Sequence, residues 1–306
     1  MKSKQQQSIT YTRGVCWFIG SFLISCSNDA IVKLLGETQE APALNSSLIT
    51  FFRLFFGVVW LTIYGLYKPS LFHTQQRKMH AIRGTIFFAA ITLWTYGVSE
   101  APITTATLVS FSIPLFVLLL SPFFLGEKVT KKLLFYALVG FAGVFMILVP
   151  QGENPFDAQA IPFLLAALLF ALLDMIDKHY ATKGHIFPTI FYSTLCALCL
   201  AAPFAYLCWI SPTWYQLSLL SLLGLGGNAI IYALLKAYRY ASLVSLAPIR
   251  YLELLFSILA SFLLFHEKPS YELWGGLLVI PAVLAIIYEQ HRMPLVIPKE
   301  DSLSKK

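Results

Sequence analysis

Residues 94–130 read W-T-Y-G-V-S-E-A-P-I-T-T-A-T-L-V-S-F-S-I-P-L-F-V-L-L-L-S-P-F-F-L-G-E-K-V-T, and their pattern decides the fold. An apolar segment breaks at Glu100-Ala101-Pro102, a second apolar segment follows, and Gly126-Glu127-Lys128 closes it. About 140 residues later the pattern returns. Lys236-Ala-Tyr-Arg-Tyr-Ala-Ser242 leads into an apolar segment that ends His266-Glu267-Lys268. A shift of 140 lays Ala101 on Ala241 and Glu127-Lys128 on Glu267-Lys268. A recurrence at that distance predicts two copies of one multi-helix unit, too long for a solenoid repeat.

Composition says where such units live. The 306 residues are 58% hydrophobic and 12% charged. Soluble domains carry roughly 25% charged residues. Low charge with long apolar runs predicts a polytopic membrane protein in a lipid bilayer. The net charge of +7 is then read as basic cytoplasmic loops, with no nucleic-acid partner. The five cysteines, Cys16, Cys26, Cys196, Cys199 and Cys208, all sit in apolar segments and read as packing residues. The six histidines make no metal-binding spacing, so neither metal nor cofactor is expected.

Ten segments are long enough to span: 14–35, 44–67, 82–99, 102–125, 129–149, 158–180, 187–210, 214–237, 241–265 and 270–290. Short connections with Pro42, Pro69, Pro102, Pro150, Pro212 and Pro269 leave no room for a soluble domain. The reading is an all-α polytopic membrane protein. It divides into a polar N-terminal tail 1–13, a five-helix unit 14–149, a connector 150–157, a second five-helix unit 158–290 and a polar C-terminal tail 291–306.

Charge sets orientation. With the N-terminus cytoplasmic, inner segments hold eighteen of the twenty-two lysines and arginines, and outer connections hold only Lys268. The positive-inside rule accepts that asymmetry in one orientation. Both termini are therefore expected to be cytoplasmic. Five helices per copy force the copies into opposite orientations, and inverted repeats characterise secondary transporters with a midplane substrate site. A second echo agrees. Asp29-x-x-x-Lys33 in the first helix and Asp174-x-x-x-Lys178 in the sixth lie 145 apart at matching depth.

On these residues the chain resembles the drug/metabolite transporter superfamily, in its ten-helix EamA-type branch. The carriers of the likeness are the five-plus-five layout, the Asp29-to-Lys33 end of helix 1, Phe52-Arg53 in helix 2, and Gly126-Glu127-Lys128 with its echo. The resemblance covers nearly the whole chain and implies an alternating-access carrier in the bacterial inner membrane. The overall sequence is also similar to the S-adenosylmethionine carriers of obligate intracellular bacteria. That likeness implies uptake of S-adenosylmethionine in exchange for S-adenosylhomocysteine. Proton-driven export of amino acids or drugs stays open beside it. An intramembrane enzyme built on Asp174-x-x-Asp177 and a channel are the remaining alternatives; no Walker A motif supports ATP-driven pumping.

An ionisable residue inside a membrane needs a partner or a wet cavity. Arg250 and Glu253, three apart on one face of helix 9, are the first candidates for substrate binding. The equivalent stretch 110–113 of helix 4 is uncharged, so the pseudo-symmetry breaks where a specific ligand would break it. The alternative is a structural ion pair. Arg53 must pair with another helix or with an anionic substrate group. Asp29 and Asp174 are gate or coupling candidates, while Lys33 and Lys178 read as their intrahelical i,i+4 partners. Asn228 and Tyr232 share a face of helix 8 beside Gly224, Gly226 and Gly227. Trp17 and Trp94 could stack on a planar ligand or a sulfonium, with ordinary packing as the alternative. Gly140 and Gly143 read as helix-packing residues. Oligomeric state is left open.

Overall fold

The computed structural model describes residues 2–36, 44–100, 111–148, 161–181, 186–253 and 272–292. Among them the chain is all-α. Ten helices follow in order: α1 Lys2–Gly36, α2 Ser46–Leu66, α3 Arg77–Glu100, α4 Ile113–Phe124, α5 Lys131–Leu148, α6 Ile161–Ala181, α7 Ile186–Leu207, α8 Trp214–Tyr240, α9 Leu243–Leu246 and α10 Glu272–Arg292. A 3₁₀ turn, Pro69–Phe72, links α2 to α3, and a second, Ala247–Tyr251, continues α9.

Local sequence explains the ends. Asn45 opens α2 by accepting the Ser47 N–H at 2.9 Å. Thr213 and Gln216 form a reciprocal capping box at the start of α8. Gly126 closes α4 at φ +65°, a left-handed conformation that glycine adopts without a Cβ clash. Pro248 lies in the 3₁₀ turn after α9, where the missing N–H keeps the helix from running on smoothly.

Two expectations about elements change. The polar tail before residue 14 is helical, because α1 already starts at Lys2. Helix 9, expected as one segment over 241–265, opens as a single α-turn and a 3₁₀ turn over 247–251 before α-helix resumes at 252–253, because Pro248 follows so closely on its start. Residues 101–110, which hold Pro102 of the expected break and the first part of helix 4, lie outside the described residues, as do the connector 150–157, residues 254–265 of helix 9 and the tail beyond Arg292.

Packing follows a regular scheme. Helix α1 lies along α8, and α3 lies along α6. Helix α2 packs on both α7 and α8, α3 packs on α7, and α5 pairs with α10. Adding or subtracting five exchanges α1–α8 with α3–α6 and α2–α8 with α3–α7, and returns α2–α7 and α5–α10 to themselves. The main core gathers Phe18 and Phe22 of α1, Val117 of α4, Met175 of α6, Tyr238 of α8 and Tyr251 beside α9. Gly140 fits that core closely, since a Cβ there would stand 2.6 Å from the Tyr251 ring.

The outer surface is apolar. Phe123 is 82% exposed and Phe135 61%, a surface that water would penalise and hydrocarbon would not. Among the described residues, α2, α7 and α8 are long and apolar enough to cross a membrane.

Candidate functional site

A charged cluster lies between α3, α6, α8 and α9. Asp174 and Asp177 are three apart on α6 and both are buried. Arg83 of α3 grips Asp177 with Nε and Nη2, at 2.5 and 2.7 Å. One turn toward the middle of α6, Asp174 accepts the Tyr238 hydroxyl at 2.8 Å. Arg250 brings Nη1 to 3.7 Å from the second oxygen of Asp174. That is an ion pair but too long for a direct hydrogen bond. Arg250 also feels the Glu253 carboxylate.

Asp174, Tyr238 and Arg250 border a narrow cavity, lined also by Phe18 and Pro114, with no room for even a water molecule. Pockets for small-molecule ligands run to roughly 300–1,000 Å³. The described conformation therefore holds the site closed around its arginine. Its chemistry is still plain: a guanidinium suits a carboxylate, and an acidic oxygen suits a cation.

The sequence candidates divide. Arg250 and Asp174, read from sequence as separate features on helices 9 and 6, meet at the cavity. Glu253 stays within electrostatic reach of Arg250. The others go elsewhere. The Asn228 amide donates to the Gly57 carbonyl at 2.8 Å, so it joins α8 to α2. Arg53 lies along the same seam, where a Cβ on Gly227 would come within 3.1 Å of its Nε. Trp17 and Tyr232 meet edge to face at 5.9 Å on a half-exposed flank, with Lys236 over the Tyr232 ring at 5.5 Å. Trp94 packs against Phe163 and Phe170 of α6. None of these five borders the Asp174–Arg250 cavity. The side chains of Asp29 and Lys33 lie outside the described residues.

One expectation fails outright. Lys178 does not pair with Asp174. Its Nζ donates to the carbonyls of Tyr238 and Ala241, at 2.6 and 2.5 Å. The last carbonyls of a helix have no intrahelical donor and carry the negative end of the helix dipole. At the end of α8 they attract the ammonium, leaving Asp174 to Tyr238 and Arg250.

Sequence reasoning also missed three members. Arg83 stands at the edge of an apolar segment and counts there as a loop base, yet it is 3% exposed. Its clue was Asp177, one turn along α6 from Asp174. Tyr238 carried no signal beyond its place in an apolar helix. Glu127 was visible as a motif, but its task was not. Its carboxylate accepts from the backbone N–H groups of Leu243 and Val244, at 3.2 and 2.9 Å.

The sequence pattern of the EamA-like transporter family matches residues 12–149 and 159–288. This chain belongs to the EamA-like transporter family. Among relatives, it is 39% identical to the S-adenosylmethionine uptake transporter of Rickettsia bellii, over 92% of this chain and 96% of that one. It is 26% identical to the pseudopaline exporter CntI of Pseudomonas aeruginosa, over 88% of this chain and 93% of that one. It is 29% identical to the riboflavin transporter of Rhizobium johnstonii, over 91% and 92%. A crystal structure of a 19% identical protein superposes with a TM-score of 0.76, covering 92% of this chain and 98% of the other. In this chain α6, α8 and the turn after α9 bring Asp174, Tyr238 and Arg250 together.

Proposed function

We propose that this EamA-like transporter takes up S-adenosylmethionine across the bacterial inner membrane in exchange for S-adenosylhomocysteine. The observation that carries the reading is the 39% identity to a Rickettsia S-adenosylmethionine uptake transporter along nearly the full length of both chains.

The chemistry of the site supports it. S-adenosylmethionine offers a carboxylate, an ammonium and a sulfonium. Arg250 takes the carboxylate, displacing Asp174 from its loose pairing at 3.7 Å. Asp174 and Glu253 then face the two cations. Both ligands carry the same adenosine and amino-acid head, so one site serves inward and outward legs. Phe18 supplies the aromatic wall.

The architecture proposed for this work is ten spanning helices in two inverted five-helix repeats, 14–149 and 158–290, joined by 150–157. The five-apart exchange of packing partners supports that arrangement. The basic asymmetry supports cytoplasmic termini.

The test is uptake of radiolabelled S-adenosylmethionine into proteoliposomes holding the full chain. Internal S-adenosylhomocysteine should accelerate it. If uptake stays at the level of empty vesicles while a pH gradient drives amino-acid or drug efflux, the exporter reading replaces this one.

A further inference from the structure

The junction between α8 and α9 is held from both sides by side chains of other helices. Helix α8 ends at Tyr240 and α9 starts at Leu243. Lys178, in the last turn of α6, donates to the Tyr238 and Ala241 carbonyls at the end of α8. Glu127, just after α4, accepts the Leu243 and Val244 amides at the start of α9. Cation meets carbonyl at the C-terminal end of α8, where the helix dipole favours it, and carboxylate meets the two open amides that begin α9. The two side chains also attract each other.

We propose that Glu127 and Lys178 form a clamp that keeps the cytoplasmic end of the transport path shut, and that Tyr238 couples it to the substrate site. The proposal rests on the topology and transport reading above. Three observations carry it. First, the clamp joins two different halves of the sequence, since Glu127 precedes 150–157 and Lys178 and the junction follow it. Movement of one half against the other must break it. Second, it sits at the basic ends of α4, α6 and α8, the cytoplasmic side. Third, Tyr238 belongs to both devices: its carbonyl accepts from Lys178 and its hydroxyl donates to Asp174 at 2.8 Å. A substrate that takes Arg250 from Asp174 changes the pull on the Tyr238 hydroxyl, and the same residue transmits that change to the clamp. Once Lys178 and Glu127 let go, the junction swings and the cavity opens inward.

The test uses the full chain with its five cysteines replaced by alanine and Ala247, which borders the cavity, changed by Ala247→Cys. A membrane-impermeant maleimide is applied to right-side-out and inside-out vesicles. Glu127→Gln and Lys178→Met should each raise cytoplasmic-side labelling at least about tenfold, since each weakens or removes two charge-assisted hydrogen bonds. Outer-side labelling should not rise. Lys178→Arg should restore slow labelling. The reversal Glu127→Lys with Lys178→Glu should not, because it puts a cation on amides and a carboxylate on carbonyls. Unchanged labelling in folded variants, an equal rise from both sides, or a reversal that behaves like the parent overturns the proposal. A second measurement keeps the native cysteines: S-adenosylmethionine KM should rise from outside and fall from inside in Glu127→Gln. KM values that do not move apart count against the clamp. If the parent transports no S-adenosylmethionine yet the labelling shift appears, the substrate reading fails and the clamp stands.

Discussion

Arg83 and Asp177, ninety-four residues apart, meet through two parallel hydrogen bonds with both side chains about 95% buried. The pair ties α3 to α6. Taking two charges out of water is costly, and removing one partner strands the other. Arg83→Ala or Asp177→Ala should therefore cost about 3–5 kcal/mol. The double replacement Arg83→Met/Asp177→Leu should cost far less. Thermal melts and monodisperse yield in detergent measure it. Equal losses in single and double variants would show that packing, not pairing, matters there.

Arg250 makes a different demand. Its partner lies at 3.7 Å, loose enough for a ligand to replace. Arg250→Ala should raise the KM for S-adenosylmethionine at least tenfold, since one hydrogen bond to a charged group contributes roughly 1.5–3 kcal/mol. Arg250→Lys should recover little, because an ammonium cannot reproduce the two-pronged contact. If instead the exchange Arg250→Asp/Asp174→Arg restores transport with unchanged affinity, the pair is structural.

The seam between α1 and α8 depends on glycine. A Cβ on Gly226 would stand 2.1 Å from Asn28 Oδ1. Gly226→Ala should push the helices apart and lower stability by about 1–3 kcal/mol. Gly20→Ala, which meets nothing within 4 Å, is the control and should be neutral or stabilising. Melting temperatures of the two variants in one detergent compare them directly.

Topology has its own test. Reporter fusions within 153–157 should read as external, and fusions at Lys183 as cytoplasmic. Swapped readings would overturn the cytoplasmic termini and, with them, the inverted repeats.

Much was legible before any coordinates. Apolar runs and breakers located α2, α7 and α8 to within a few residues, because hydropathy and turn chemistry are local. Gly126 marked the end of α4 for the same local reason: its positive φ belongs to its own backbone. The echo of 126–128 at 266–268 exposed the duplication, and the basic residues implied an orientation. These signals need only sequence position and the transfer of side chains between water and hydrocarbon.

Partner choice was decided by the tertiary structure. Lys178 had a carboxylate four residues back but took the carbonyls of Tyr238 and Ala241, some sixty residues on. Asn228, a ligand-contact candidate, donates to the Gly57 carbonyl across the seam between α8 and α2. Arg83 looked like a loop base and is buried against Asp177. A buried charge pairs with whichever opposite group packing brings within reach, and contacts between distant helices set that reach. The sequence by itself determined where the apolar segments lie, where they break and which connections carry the positive charge. Only the folded chain decided which of its few polar groups meet, because that depends on distances between helices that no local pattern encodes.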